Sequence, residues 1–165
     1  MASTRNGYST LQIALHWAIF VLIVVQLISG DGMTEMIEAG EDGKVAAARV
    51  LFQGTLHYWA GIAVLVLAVA RIAVRFTTGV PAHAGTANPA LDMIASIVHW
   101  AFYVLLFAVP ISGLMAYYFG DPMGEIHELG KPAFIVLILV HAGGALFNQF
   151  VRKDGTLMRM LRPAR

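Results

Sequence analysis

The 165-residue chain has no cysteine, and only 13% of its residues are charged, where a soluble domain carries roughly a quarter. Without cysteine there are no disulfides, no iron–sulfur clusters, no thiolate zinc sites and no thioether-linked haem. The formal net charge is +1, so the basic excess that marks a nucleic-acid-binding chain is missing. Proline is scarce at six residues, which leaves long stretches free of any helix breaker.

Apolar residues make up the bulk, 58% of the chain, and they lie in blocks rather than in half-faces. That composition suits a protein whose solvent is lipid. Four spans are expected, at about 9–30, 54–76, 91–119 and 129–151. Each can cross a hydrocarbon core of about 30 Å at about 1.5 Å rise per residue. Backbone groups in lipid have to be satisfied within their own segment, so the spans are helices. The expected fold is an all-α, integral membrane four-helix bundle, one domain over 1–165. The first span reads as retained and not as a cleaved signal peptide. Gly30, Gly32, Gly40 and Gly43 read as breakers in the first connector, and Pro110 with Gly113 predicts a kink or tilt in the third span.

Charge asymmetry gives a topology. Arg5, Arg71, Arg75, Arg152, Lys153, Arg159, Arg162 and Arg165 fall on one side, and Lys44, Arg49 and Lys131 on the other. Eight of the eleven cations therefore mark the inner side. Both termini are expected in the cytoplasm, with the protein in a bacterial inner (plasma) membrane. The opposite face is acidic, carrying Asp31, Glu35, Glu38, Glu41, Asp42, Asp121, Glu125 and Glu128.

Of the six histidines, His16, His57, His99, His127 and His141 sit in or at the mouth of a span, and His83 lies in the second connector. One intramembrane histidine could simply hydrogen-bond a neighbouring helix. Five in a chain without intramembrane carboxylates point to function, and imidazole alone suits the iron of haem. His127 and His141 are fourteen residues apart, close to four helical turns, or about 21 Å on one face. Depth pairs His57 with His127 near the outer edge and His16 with His141 in the inner half. Two haem b groups, each held by two histidines, would form an electron wire across the membrane. Arg71, fourteen residues after His57, shares its face at the inner depth. It either meets a haem propionate or snorkels to the surface. Gly61, Gly143 and Gly144 could admit a flat macrocycle or mark ordinary helix crossings. His99 is left over and reads as a neighbour of the inner pair or of a quinone headgroup.

The segment Tyr8-Ser9-Thr10-Leu11-Gln12-Ile13-Ala14-Leu15-His16-Trp17 resembles the start of the bacterial cytochrome b561 proteins. His99-Trp100-Ala101-Phe102-Tyr103-Val104-Leu105-Leu106, with Pro110-Ile111-Ser112-Gly113, is similar to their third helix. His127-Glu128 through His141 to Lys153-Asp154-Gly155-Thr156-Leu157 is similar to the fourth helix and tail. The resemblance, which extends to the cytochrome b subunits of Ni/Fe hydrogenases, implies two b haems exchanging electrons with membrane quinone. One branch of that family oxidises superoxide at the outer face. Family members often carry a His-His pair beyond the last haem ligand, where this chain has Asn148-Gln149.

Three functions stay open at this point. One is a stand-alone electron carrier or quinone-linked oxidoreductase fed by superoxide or another periplasmic donor, with Lys131, four residues after His127, supplying positive charge. Another is a haem-bearing membrane anchor subunit of a larger respiratory complex. The most distant is a haem-free channel or transporter. Reporter fusions at either terminus and in the His83 connector are expected to read cytoplasmic. An external signal from any of the three overturns the charge tally.

Overall fold

The computed structural model describes residues 7–79, 81, 89–120 and 122–164. His83 lies outside them. Four helical runs are long and apolar enough to cross a membrane. They comprise α1 (Thr10–Glu41), α2 (Ala48–Thr78), α3 (Pro89–Phe119), and a fourth run divided into α4 (Met123–Glu128) and α5 (Gly130–Phe147). A π-helical turn (Asn148–Arg152) and the one-turn α6 (Thr156–Arg159) complete the chain.

The helix ends follow from local chemistry. Ser9 and Gln12 form a reciprocal cap on α1: the Gln12 amide donates to Ser9 Oγ at 3.2 Å and the Ser9 amide to Gln12 Oε1 at 2.9 Å. The Gln12 side chain also reaches α2, donating to Thr78 Oγ1 and to the Gly79 carbonyl. Gly79 closes α2 at φ 72°, a conformation that glycine adopts without strain. The tail folds back over this end. Trp17 Nε1 donates to the Met160 carbonyl at 2.9 Å, and the Ala164 amide donates to the Tyr8 carbonyl at 3.0 Å. Both described ends of the chain therefore lie at one end of the bundle.

The fourth run is interrupted because Pro132 has no N–H to offer the Glu128 carbonyl. Helix α4 stops at Glu128, and α5 starts afresh with the Ala133 amide bonded to the Leu129 carbonyl. Helix α3, by contrast, runs through Pro110 to Phe119 without a break.

The first connector is much shorter than the glycines suggested. Gly30, Gly32 and Gly40 lie inside α1, and only Gly43, at φ 66°, turns the chain. Two of the nearby glycines serve close packing. A Cβ on Gly32 would stand 2.5 Å from Gln53 Cβ, and one on Gly54 would stand 2.6 Å from Met36 Sδ. Helices α1 and α2 thus continue as a close-packed hairpin well beyond the apolar run.

Helices α1 and α2 form one tight pair, and α3 packs on α4 and α5 to form the other. The pairs meet chiefly where α2 approaches α3, whereas α1 and α5 stay apart at the backbone level. Ile19, Ile23, Val64, Ala68, Leu106 and Phe134 fill the shared core. Most other large apolar side chains, Val66, Leu139 and Phe150 among them, face outward, as they should against acyl chains. The two hydroxyls buried among the described residues are satisfied within their own helices. Ser29 donates to the Val25 carbonyl at 2.7 Å and Ser112 to the Val109 carbonyl at 2.9 Å.

Gly32→Ala is expected to destabilise the α1–α2 hairpin by about 1–3 kcal/mol, the usual cost of overpacking. Gly40→Ala, which meets nothing within 4 Å, should be neutral or slightly stabilising. Unfolding of both variants in detergent by denaturant titration checks the contrast.

Candidate functional site

The gap between the two helix pairs is bridged by imidazoles. At the end that carries the termini, His16 of α1 faces His141 of α5 with ring centres 6.1 Å apart. This is the proximal pair. Toward the opposite end, His57 of α2 faces His127 of α4 at 5.9 Å, forming the distal pair. All four rings are half-buried. An imidazole nitrogen sits about 2.0–2.1 Å from a bound first-row metal, and its ring centre lies a little over an ångström further back. Two rings on opposite sides of one metal would therefore have centres roughly 6 Å apart. Both pairs have that spacing.

The hydrogen bonds at Nδ1 decide which nitrogen each ring can offer. Ser29 already spends its proton on Val25, so its oxygen can only accept from His57 Nδ1, 3.3 Å away. His127 Nδ1 donates to the Val109 carbonyl at 2.9 Å. Both distal rings thus carry their proton on Nδ1 and keep the Nε2 lone pair open. The proximal pair differs. Arg71, always a donor, points Nη2 at His16 Nδ1 at 3.4 Å and Nη1 at the Gln12 carbonyl at 3.3 Å. Arg71 is half-buried, with its guanidinium between His16 and the first turn of α1.

His99 stands beside the proximal pair, its ring centre 5.3 Å from that of His141, and Nδ1 donates to the Ala95 carbonyl at 2.7 Å. Phe102 packs edge-on against His141 at 5.3 Å. The sequence-derived pairing of His57 with His127 and His16 with His141 is therefore what the fold brings together, with Arg71 and His99 both at the proximal pair.

A family profile described as prokaryotic cytochrome b561 matches residues 7–163. The chain belongs to the prokaryotic cytochrome b561 family. It is 39% identical over 158 residues to a protein named cytochrome b562 from Cereibacter sphaeroides, covering 95% of this chain and 96% of the relative. It is 31% identical to cytochrome b561 homolog 1 of Escherichia coli, covering 94% and 97%. A protein named probable superoxide oxidase CybB from Yersinia pestis is 28% identical, covering 95% and 97%. The chain is thus a multi-pass membrane cytochrome, and membership of the family implies haem b.

Within this cytochrome the glycines that lie against the distal rings are not the three that the sequence offered as seats for a macrocycle. Gly61 faces the Gln26 amide, 2.8 Å from where a Cβ would stand, and Gly143 and Gly144 face open space. The rings rest instead on Gly113 and Gly30. A Cβ on Gly113 would stand 2.7 Å from His127 Cε1, and one on Gly30 would stand 3.6 Å from His57 Cε1. Ser29, Gln26 and the Val109 carbonyl were also missed. Gln26 donates to the His57 carbonyl at 2.9 Å. Its signal was a lone amide inside an apolar run, a costly placement that asks for a partner. Gln149 Oε1 and Arg152 Nη1, on the π-helical turn, are buried without a hydrogen-bond partner in the protein.

Gly113→Val is expected to push His127 off its seat and abolish the spectral contribution of the distal pair. Gly40→Ala, at the far end of α1 with nothing within 4 Å, should leave the spectrum unchanged. Haem content per chain and the reduced-minus-oxidised spectrum of each purified variant check both outcomes.

Proposed function

We propose that this cytochrome is a transmembrane electron carrier with two haem b groups, one between His57 and His127 and one between His16 and His141. It exchanges electrons between a donor at the distal face and membrane quinone at the proximal end. The observation that carries this reading is the pair of facing imidazoles at two depths, with ring centres 5.9 and 6.1 Å apart. The groups, when bound, supply one-electron redox chemistry.

The chain's own residues position and compensate. Ser29 and Val109 hold the distal rings with Nε2 outward, and Gly30 and Gly113 let those rings lie against helix backbone. Were His16 to hold the group through Nε2 it would carry its proton on Nδ1, and Arg71 would have to turn from it to another acceptor. A haem propionate is an acceptor of the right charge to take it. His99, Gln149 and Arg152 supply polar groups at the proximal end for a quinone headgroup or a propionate. The excess of Lys and Arg at the termini orients that end toward the cytoplasm.

The acidic distal face bears on the donor. Of its three cations, Lys131 is ion-paired to Asp31 and Lys44 to Asp42, each at 2.7 Å. That leaves little positive potential to steer an anion such as superoxide. The donor favoured here is a neutral molecule or a protein with a basic face, so the role of haem-bearing anchor subunit fits alongside that of free carrier. The relative named as a superoxide oxidase keeps superoxide as the second reading. The haem-free channel or transporter ends with the family assignment.

Pyridine haemochrome assay of the purified chain should give two haem b per polypeptide. His57→Ala and His127→Ala should each leave one, and so should their combination. His16→Ala or His141→Ala should remove the other. A content of one or none in the unmodified chain sinks the proposal.

A further inference from the structure

The two imidazole pairs sit in opposite electrostatic settings, and this has a consequence for the direction of electron flow. At the distal pair both rings donate Nδ1–H to oxygen acceptors, Ser29 Oγ and the Val109 carbonyl. Such donation makes an imidazole a stronger electron donor to its metal and favours the oxidised state. Ser29 is suited to this because it is 2% exposed and its own proton is committed to Val25. The charges on the flanking extensions act in the same sense: Asp31 is matched by Lys131, and Glu35, Glu38, Glu125 and Glu128 add negative charge at that end.

At the proximal pair the sign reverses. Arg71 lies within hydrogen-bond reach of His16 and carries a permanent positive charge into the apolar region. On the ring that charge acts directly, and on a propionate it offsets the carboxylate, so in either place the proximal end is more positive than it would be without Arg71. Arg75 lies one turn further along α2, over the face of Tyr103, and Arg152 is on the π-helical turn. Positive charge in a medium of low dielectric favours the reduced, less positive state of a nearby iron.

The geometry points to a built-in potential step: Ser29, as a positioning residue on His57, lowers the midpoint of the distal haem, while Arg71 raises that of the proximal haem. Electrons therefore run downhill from the distal to the proximal site. When bound between His57 and His127 and between His16 and His141, the two groups would supply one-electron chemistry with no bond made and no proton moved, the electron lost at the first site being gained at the second. A one-electron donor at the distal face and a quinone at the proximal end close the balance. This inference rests on the two-haem reading above, and it adds the direction of flow and the residues that set it.

Spectroelectrochemical titration of the haem-loaded protein tests it. Two separate waves are expected. Ser29→Ala should move only the lower wave upward, Ser29→Thr should restore it, and Arg71→Gln should move only the higher wave downward. Both changes narrow the gap, with quinone type and lipid unchanged. In Gly113→Val, which removes the distal haem, the surviving wave should be the higher one, and this holds even where Ser29→Ala fails to retain haem. Two haems with a single shared midpoint overturn the proposal. So does a surviving lower wave in Gly113→Val, or a Ser29→Ala shift in the higher wave. A haem content other than two per chain instead strikes the parent reading, so the two failures are distinguishable.

Discussion

An uncompensated polar group in lipid costs far more than it does in water, and that constraint organises this molecule. Ser29 and Ser112 return their protons to their own helices, and Gln26 caps a carbonyl on the neighbouring helix. The two helix pairs pack tightly within themselves and keep apart where α1 would meet α5. The space between them is spanned by imidazoles, and those of the distal pair have their Nδ1 atoms bonded and lie against Gly30 and Gly113. The packing and the polar groups therefore serve one arrangement: a divided bundle with two polar bridges.

Much of this was legible in the sequence because lipid imposes simple rules. The length and purity of the apolar runs revealed four helices, and helical periodicity put His127 and His141 on one face. Depth along the spans was enough to pair His57 with His127 and His16 with His141. What could not be read was close packing between helices. Gly32 looked like a turn residue because glycine in a polar stretch usually is one, yet Gln53 needs its missing side chain. Gly143 and Gly144 read either as room for a macrocycle or as a helix crossing, and the open space beside them rules out only the crossing. The hydrogen bond from His57 to Ser29 joins residues 28 apart, and no local pattern announces it.

The division of the fourth span at Leu129 was also hidden, since the apolar run passes through it. Pro132 leaves the Glu128 carbonyl without a helical donor, so His127 rides on a six-residue helix of its own. Its position is set by Val109 and Gly113 of α3 and not by the axis of α5. The two histidines of the fourth span are thus anchored separately, and each answers to a different neighbour.

Separate anchoring gives the two halves of the protein different places in the timetable of synthesis. Every residue that frames the distal pair (Ser29, Gly30, His57, Val109, Gly113 and His127) precedes residue 130. The proximal pair waits for His141, and the contact that clasps Trp17, next to His16, waits for Met160. A ribosome delivers the chain from its first residue onward. The distal framework is therefore complete in covalent terms while α5 is still emerging, and the proximal one closes only when the tail arrives.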